Sequence, residues 1–338
     1  MRVWFNRTFS SVYTAMRLIR EADQAHRYHL IYTSTSPVPA GRAAHQFELE
    51  PIGVKGEDYV AWCLDFCRRH DVGILVPGKE ARLISAARQR FADIGTRVLS
   101  VAPAESLQLL HDKARFYATV DCAAAPPPHS IAVNNVAQFD AAYAELRALY
   151  PQLCIKPSES VYGLGFSVID EQRSCAELLL AGAQYTIGLA DLRGGLARLP
   201  EFRTMLVMEY LEGHEYSVDC VGENGRLVCA VPRKKPLAAG VGQTIDLNPR
   251  ILEASAALAR AYGLNGVFNV QFRETGGVVR LLEINPRMSG GIGMACMAGP
   301  NLPYIALAGF DRGFGHIEIP AIREGMRVAE VSNAVEVF

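Results

Sequence analysis

Charge of either sign is nearly absent in sum. The 34 lysines and arginines offset 35 aspartates and glutamates, for a formal net charge of −1. Without a basic excess there is no electrostatic footprint for nucleic acid, and none is expected as a partner. Long apolar runs are missing too, so no stretch approaches the roughly 20 residues of a membrane span. The opening "MRVWFNRTFSSVYTAMRLIR" lacks the apolar stretch and small-residue cleavage site of a secretory signal, and Arg7 and Arg17 interrupt it. A cytoplasmic location without membrane attachment is the expectation. The eight cysteines, at 63, 67, 122, 154, 175, 220, 229 and 296, contain no C-x-x-C pair. A zinc site is therefore not expected, and reduced, buried thiols are. His111, His129 and His214 have no metal-ligand partner pattern either. No G-x-G-x-x-G follows the first predicted strand, where the chain reads "NRTFSS". That disfavours a nicotinamide-dependent oxidoreductase. Internal repeats and low-complexity tracts are also lacking.

What is present is an ordinary apolar content and regular patterning. Half of the 338 residues are apolar, enough for a large core in one to three domains. Residues 2–6, 28–34, 73–78 and 96–101 read as strands. Helices are expected over 11–22, 57–71 and 79–92, with Tyr59, Val60, Cys63, Leu64 and Cys67 at helical spacing. Strands alternating with helices imply an open, parallel, doubly wound sheet over about the first 100 residues. The proline run "CAAAPPPHS" (122–130) is a stiff connector. An α+β block then runs to about 310, with hairpins at "ENG" (223–225) and "ETGG" (274–277). The tail "MRVAEVSNAVEVF" reads as one or two closing strands.

Polar residues of interest stand at five places along the chain. In "LLEINPRMSGG" (281–291), Glu283 and Asn285 share a strand face, while Leu282 and Ile284 point into the core. Pairing Gln271 with Glu283 would put Gln271, Glu283 and Asn285 on one surface; a one-residue slip would bury Gln271. Oxygen donors of this kind suit magnesium, which takes one or two carboxylates plus phosphates and water. In "LCIKPSESVYGLGFSV" (153–168), Lys156 ends a strand. Ser158, Ser160, Gly163 and Gly165 would let backbone N–H groups approach phosphates. "LVMEYLEGHEYSVD" (206–219) reads as a hinge strand through Glu209, Tyr210 and Leu211, followed by Glu215. Lys113 lies on a predicted helix, and Arg233, Lys234 and Lys235 on a basic stretch. Taken singly, each has an ordinary reading as a solvated strand end, surface hairpin, half-exposed strand or exposed basic side chain.

Together and in this order, "DK" (112–113), "IKP" (155–157), "MEYLEGHEYSVD" (208–219), "NVQF" (269–272) and "LEINPRMSGG" (282–291) resemble the ATP-grasp superfamily. The likeness is to its carbamoyl phosphate synthase and biotin carboxylase branch of carboxylate–amine ligases, over about 104–310. The resemblance implies an open α/β pre-ATP-grasp domain over 1–103. An ATP-grasp fold of two α+β subdomains would follow, at about 120–207 and 208–310, with closing strands over 311–338. It implies that Lys113 and Lys156 contact ATP phosphates, beside the Ser160–Gly163 loop. Glu209, Tyr210 and Leu211 would hold adenine, the last through its backbone, and Glu215 the ribose. Gln271, Glu283 and Asn285 match the magnesium positions, for two ions with manganese as a substitute. Arg287 matches a position near the γ-phosphate and acyl group, with Arg233 and Lys235 as looser catalytic matches. The loop after Lys156 lacks the long glycine run of biotin carboxylase. One grasp unit stands here rather than a tandem pair, and no biotin-carrier or glutaminase segment is recognisable, so those two named activities are not expected of this chain alone. The implied reaction is ATP-dependent ligation of a small-molecule carboxylate to an amine or thiol through an acyl phosphate. An ATP-binding module acting as sensor or partner is the alternative. A homodimer is compatible with either.

Overall fold

The computed structural model describes residues 1–8, 11–160, 163–237, 240, 242–331 and 334–336. The chain divides into two compact units. One comprises 1–108, 214–272 and 283–338; the other comprises 109–213 and 273–282.

In the first unit, β1 (Arg2–Phe5), β2 (His29–Ser34), β3 (Gln46–Leu49), β4 (Val72–Val76) and β5 (Arg97–Val98) form a parallel sheet in the order β3-β2-β1-β4-β5. The period-2 alternation of β1 feeds two cores. Val3 and Phe5 pack with Val12, Met16 and Ile19 of the helix Ser11–Ala22. Trp4, between them, packs with Tyr59, Cys63 and Phe66 of the helix Gly56–Arg69. Helices cover both faces, as parallel sheets require, and the expected fold class holds. Two local details differ from expectation. The helix predicted over 79–92 is two short ones, Ala81–Ala86 and Arg88–Ala92, broken at Ala87. The strand β3 was not anticipated, because four residues, none of them buried, carry too little periodicity.

The second unit holds a mixed sheet of β6 (Ser130–Val133), β7 (Leu153–Pro157), β8 (Ser167–Asp170), β9 (Thr186–Gly188) and β10 (Met205–Glu209), ordered β6-β10-β7-β8-β9. The helix Val136–Arg147 buries Phe139, Ala142 and Leu146 among Leu153, Ile155 and Val207 of this sheet.

The third sheet comprises β11 (Glu215–Glu223), β12 (Arg226–Lys234), β13 (Gln243–Ile245), β14 (Gly266–Thr275), β15 (Val278–Asn285) and β16 (Arg327–Val328), ordered β15-β14-β11-β12-β13-β16. Both predicted hairpins are present. Asn224 and Gly225 have φ of 48° and 89°, and Gly276 and Gly277 have 52° and 78°. Positive φ at both central residues is what a two-residue type I′ turn demands. The anticipated closing strands reduce to β16, and residues 332–333 and 337–338 lie outside the described residues.

Candidate functional site

The helix Lys113–Thr119 of the second unit begins on a cap. The Asp112 carboxylate accepts from Ala114 N at 3.1 Å and Arg115 N at 3.2 Å, and the Ser158 hydroxyl donates to it. Burial alone would raise the Asp112 pKa. The bonds from Ser158, Arg115 and Ala114 and the charge of Arg115 outweigh it and hold the carboxyl below its usual range. Ser158 also ties the helix to the end of β7: its carbonyl accepts from Lys113 N at 3.0 Å and its Oγ from Ala114 N at 3.0 Å. The Lys113 side chain, buried at 7% exposure, donates from Nζ to the Ser160 carbonyl at 3.1 Å. Lys156 Nζ donates to the Tyr117 hydroxyl at 2.8 Å, and that hydroxyl donates to the Leu282 carbonyl. One helix thus gathers Lys113, Lys156, Ser158 and Ser160. Gly163 and Gly165 have φ of 68° and 81°. A Cβ at Gly165 would come within 2.8 Å of the Pro157 ring, so the loop folds back on β7 only with glycine there. Residues 161–162 of this loop lie outside the described residues.

Glu209 ends β10 in the same unit and is 4% exposed. Its Oε1 accepts from His129 N at 2.8 Å and lies 3.5 Å from Arg280 Nε. That oxygen fastens the chain after the proline connector to the strand end. A base approaching here would therefore meet the backbone beyond Glu209 more readily than this oxygen. Tyr210 N donates to the Gln152 carbonyl at 3.0 Å, Arg273 sits 5.5 Å from the Tyr210 ring centroid, and Leu211 is buried.

In the first unit, Glu215 accepts from Lys235 Nζ at 2.5 Å, and their backbones pair at 2.8 Å. The two residues given different roles by resemblance, ribose and catalysis, are thus ion-paired. Glu283 and Asn285 stand two apart on β15, both half-buried, with Asn285 Nδ2 2.9 Å from Glu283 Oε1. Arg287 follows after Pro286; its N donates to the Asn285 carbonyl at 2.7 Å and its Nη1 to the Met288 carbonyl at 3.1 Å.

The two-glycine turn sets Thr275 opposite Val278. Carried inward unbroken, that pairing would set Glu283 opposite the core residue Val270. The burial pattern instead slips by one: Val279 and Leu281 are buried, then Ile284, with Leu282 and Glu283 both half-buried between them. A slip of this kind is what a β-bulge produces. It keeps Glu283 and Asn285 out of the core, on strands where Phe268, Val270 and Phe272 are buried and Gln271 is half-buried.

Arg233 is placed otherwise than a substrate ligand would be. Its guanidinium is 2% exposed and bonds Asp219 at 2.9 Å, Ser217 at 3.0 Å, Ser289 at 3.0 Å and the Gln243 carboxamide. These groups take up the fork of donors inside the unit. Asn269 joins the same cluster, donating to Ser217 Oγ at 3.0 Å, the Val218 carbonyl at 3.1 Å and Asp219 Oδ1 at 3.2 Å. Sequence reasoning missed Asp219, Ser217, Asn269 and Ser289 as a unit. Its one visible signal was polar residues within otherwise apolar strand runs. The loop after β15 rests on this cluster: a Cβ at Gly291 would lie 2.5–2.7 Å from the Arg233 guanidinium atoms.

Residues 201–334 match the family described as "ATP-grasp in the biosynthetic pathway with Ter operon". The chain is 37% identical to mouse carnosine synthase 1 over 98 residues, 25% of this chain. It is 26% identical to the arginine-specific carbamoyl phosphate synthase large chain of Geobacillus stearothermophilus over 198 residues, 55% of this chain. The chain is similar to the ATP-grasp superfamily over 201–334. It spans only 12% and 17% of those two relatives' own length. Among solved structures, an ADP complex of N5-carboxyaminoimidazole ribonucleotide synthetase superposes with a TM-score of 0.65 at 13% identity, over 96% of this chain and 79% of the other. The L-amino acid ligase of Bacillus licheniformis superposes at 0.60 and 12% identity, over 91% and 73%. At such identities the superpositions establish the ATP-grasp fold alone.

Proposed function

We propose that the chain joins a small-molecule carboxylate to an amine or thiol at the expense of ATP, through an acyl phosphate, releasing ADP and phosphate. The carrying observation is the Glu283–Asn285 pair, held out of the core by the slip in β15 and followed, after Pro286, by Arg287. Its substrates are amino-acid-like in this reading, which the similarity to a carnosine synthase supports. The domain division read from sequence, at 103–104 and 310–311, belongs to the same proposal.

The residues fit a hard divalent cation carried with phosphates. Glu283 gives one carboxylate, and Asn285 and Gln271 give carboxamide oxygens. Asn269, two residues from Gln271 on the same strand face, has a buried Oδ1 without a hydrogen-bond partner. Magnesium would be held by Gln271, Glu283 and Asn285, and would neutralise phosphate charge during transfer. Lys113 and Lys156 bind the phosphates as cations, and Arg287 meets the γ-phosphate. Fixed charges of this kind are commonly worth a few kcal/mol each, about 3, in the transition state. Lys235 reaches a substrate only by releasing Glu215, so we assign the two a linked part.

The test is a phosphate-release screen of amino acids and small carboxylic acids, each with ATP, with and without amines. Phosphate release that requires both acid and acceptor is the expected outcome. ATP binding with no acceptor-dependent release across the panel would instead identify an ATP-binding module.

A further inference from the structure

Two cations assigned to the ATP phosphates stand on or beside one short helix, Lys113–Thr119. Lys113 belongs to the helix, and its buried side chain is held at the Ser160 carbonyl. Lys156 stands near the end of β7, at the tip of a flexible four-carbon stem. A charge carried that way needs something to set its place. A partner is the phenol of Tyr117, four residues after Lys113 on the same helix face and 9% exposed.

Lys156 Nζ lies 2.8 Å from the Tyr117 hydroxyl and 4.9 Å from the centre of its ring. The sense of the bonds is fixed by their ends. An ammonium only donates and a carbonyl only accepts, so the hydroxyl accepts from Lys156 and donates onward to the Leu282 carbonyl. The ring adds a cation–π attraction. Leu282 immediately precedes Glu283 and lies where the burial pattern of β15 slips. Leu281 N, one residue earlier, donates to the Pro126 carbonyl at 3.1 Å. Two successive residues of β15 thus spend a backbone group on partners outside the sheet. A regular edge strand does so only at alternate residues, and a bulge leaves such a group to be satisfied elsewhere. The helix that carries the phenol is itself pinned. Asp112 caps it, and Ser158, one residue past β7, bonds Lys113 N and Ala114 N.

We propose that Tyr117 is a positioning residue for ATP. Its hydroxyl holds the Lys156 ammonium in place for the phosphates and at the same time fastens the carbonyl that precedes Glu283. One side chain thus sets a phosphate-binding cation and the strand end from which the metal carboxylate projects. The inference rests on the reading of Lys156 as a phosphate ligand and adds to it the group that makes this lysine effective.

Isothermal titration calorimetry of the full chain with ATP and magnesium tests it, on wild type, Tyr117→Phe, Lys156→Ala and the double variant. Tyr117→Phe keeps the ring and removes only the hydroxyl. It should weaken ATP binding about fivefold, with the melting temperature little changed. In the Lys156→Ala background the same substitution should weaken it by no more than about twofold, because no ammonium is left to hold. A merely structural role would instead repeat the full loss in both backgrounds. Equal losses in the two backgrounds, or wild-type affinity in Tyr117→Phe, overturn the inference and leave the ATP site standing. Wild-type affinity in Lys156→Ala, or a wild-type chain that binds no ATP, removes the reading of the site itself and Tyr117 with it.

Discussion

Glu283 and Arg233 stand in the same sheet, and their surroundings separate what each can do. Glu283 is half-buried, with Asn285 as its named neighbour. We expect Glu283→Ala to lower turnover about a hundredfold or more, with the melting temperature little changed; phosphate release and a thermal melt measure the two. Wild-type activity in that variant would remove the metal assignment. Arg233 is buried against Asp219 at 0% exposure. Removing one partner of such a pair strands the other charge, so Arg233→Ala should cost about 3–5 kcal/mol in urea unfolding. Lys156→Ala should raise the KM for ATP several-fold while sparing stability, and an unchanged KM would take it out of the phosphate site. Glu283 and Asn285 were legible because a dense motif names them. The Arg233 cluster was not, because its members come from β11, β12, β13, β14 and the loop after β15. Ser217 faces Arg233 across β11 and β12, and a pairing of that kind is invisible until the register is known.

Among elements, the capped helix Lys113–Thr119 links a local rule to the site. Asp112→Ala removes the acceptor for two helix N–H groups and should cost about 1 kcal/mol. Because the folded carboxyl titrates below its ordinary value, its contribution is full above the unfolded pKa and is lost as pH falls through the folded one. Urea titrations of wild type and variant should therefore converge in strong acid. A gap that persists there would deny the carboxylate this role. The strongly amphipathic helices Ser11–Ala22 and Gly56–Arg69 and both glycine turns were legible, since periodicity and turn chemistry announce them locally. The two-residue β5 and three-residue β9 were too short to show a period. The slip in β15 could not be read either: alternation put Leu282 and Ile284 in the core, whereas Val279, Leu281 and Ile284 are the buried ones and Leu282 is half-buried.

Across the whole molecule, the cysteines report on packing. Of eight, six are buried. Burial pushes Cys67, Cys154 and Cys296 up to about 12 and Cys229 to about 11. Since the thiolate is the reactive form, the native chain should react with a thiol reagent at far fewer than eight positions at pH 8, Cys175 first, and at all of them once unfolded. Rapid modification of all eight in the native state would contradict the described cores. Gly291 and Arg233 carry a different kind of consequence. There is no space for a methyl group at 291 while a guanidinium lies beneath it, so Gly291→Ala alone should destabilise. Relatives that carry a larger residue at the equivalent of 291 should carry a shorter one at the equivalent of 233, the two positions drifting through evolution as a coupled pair.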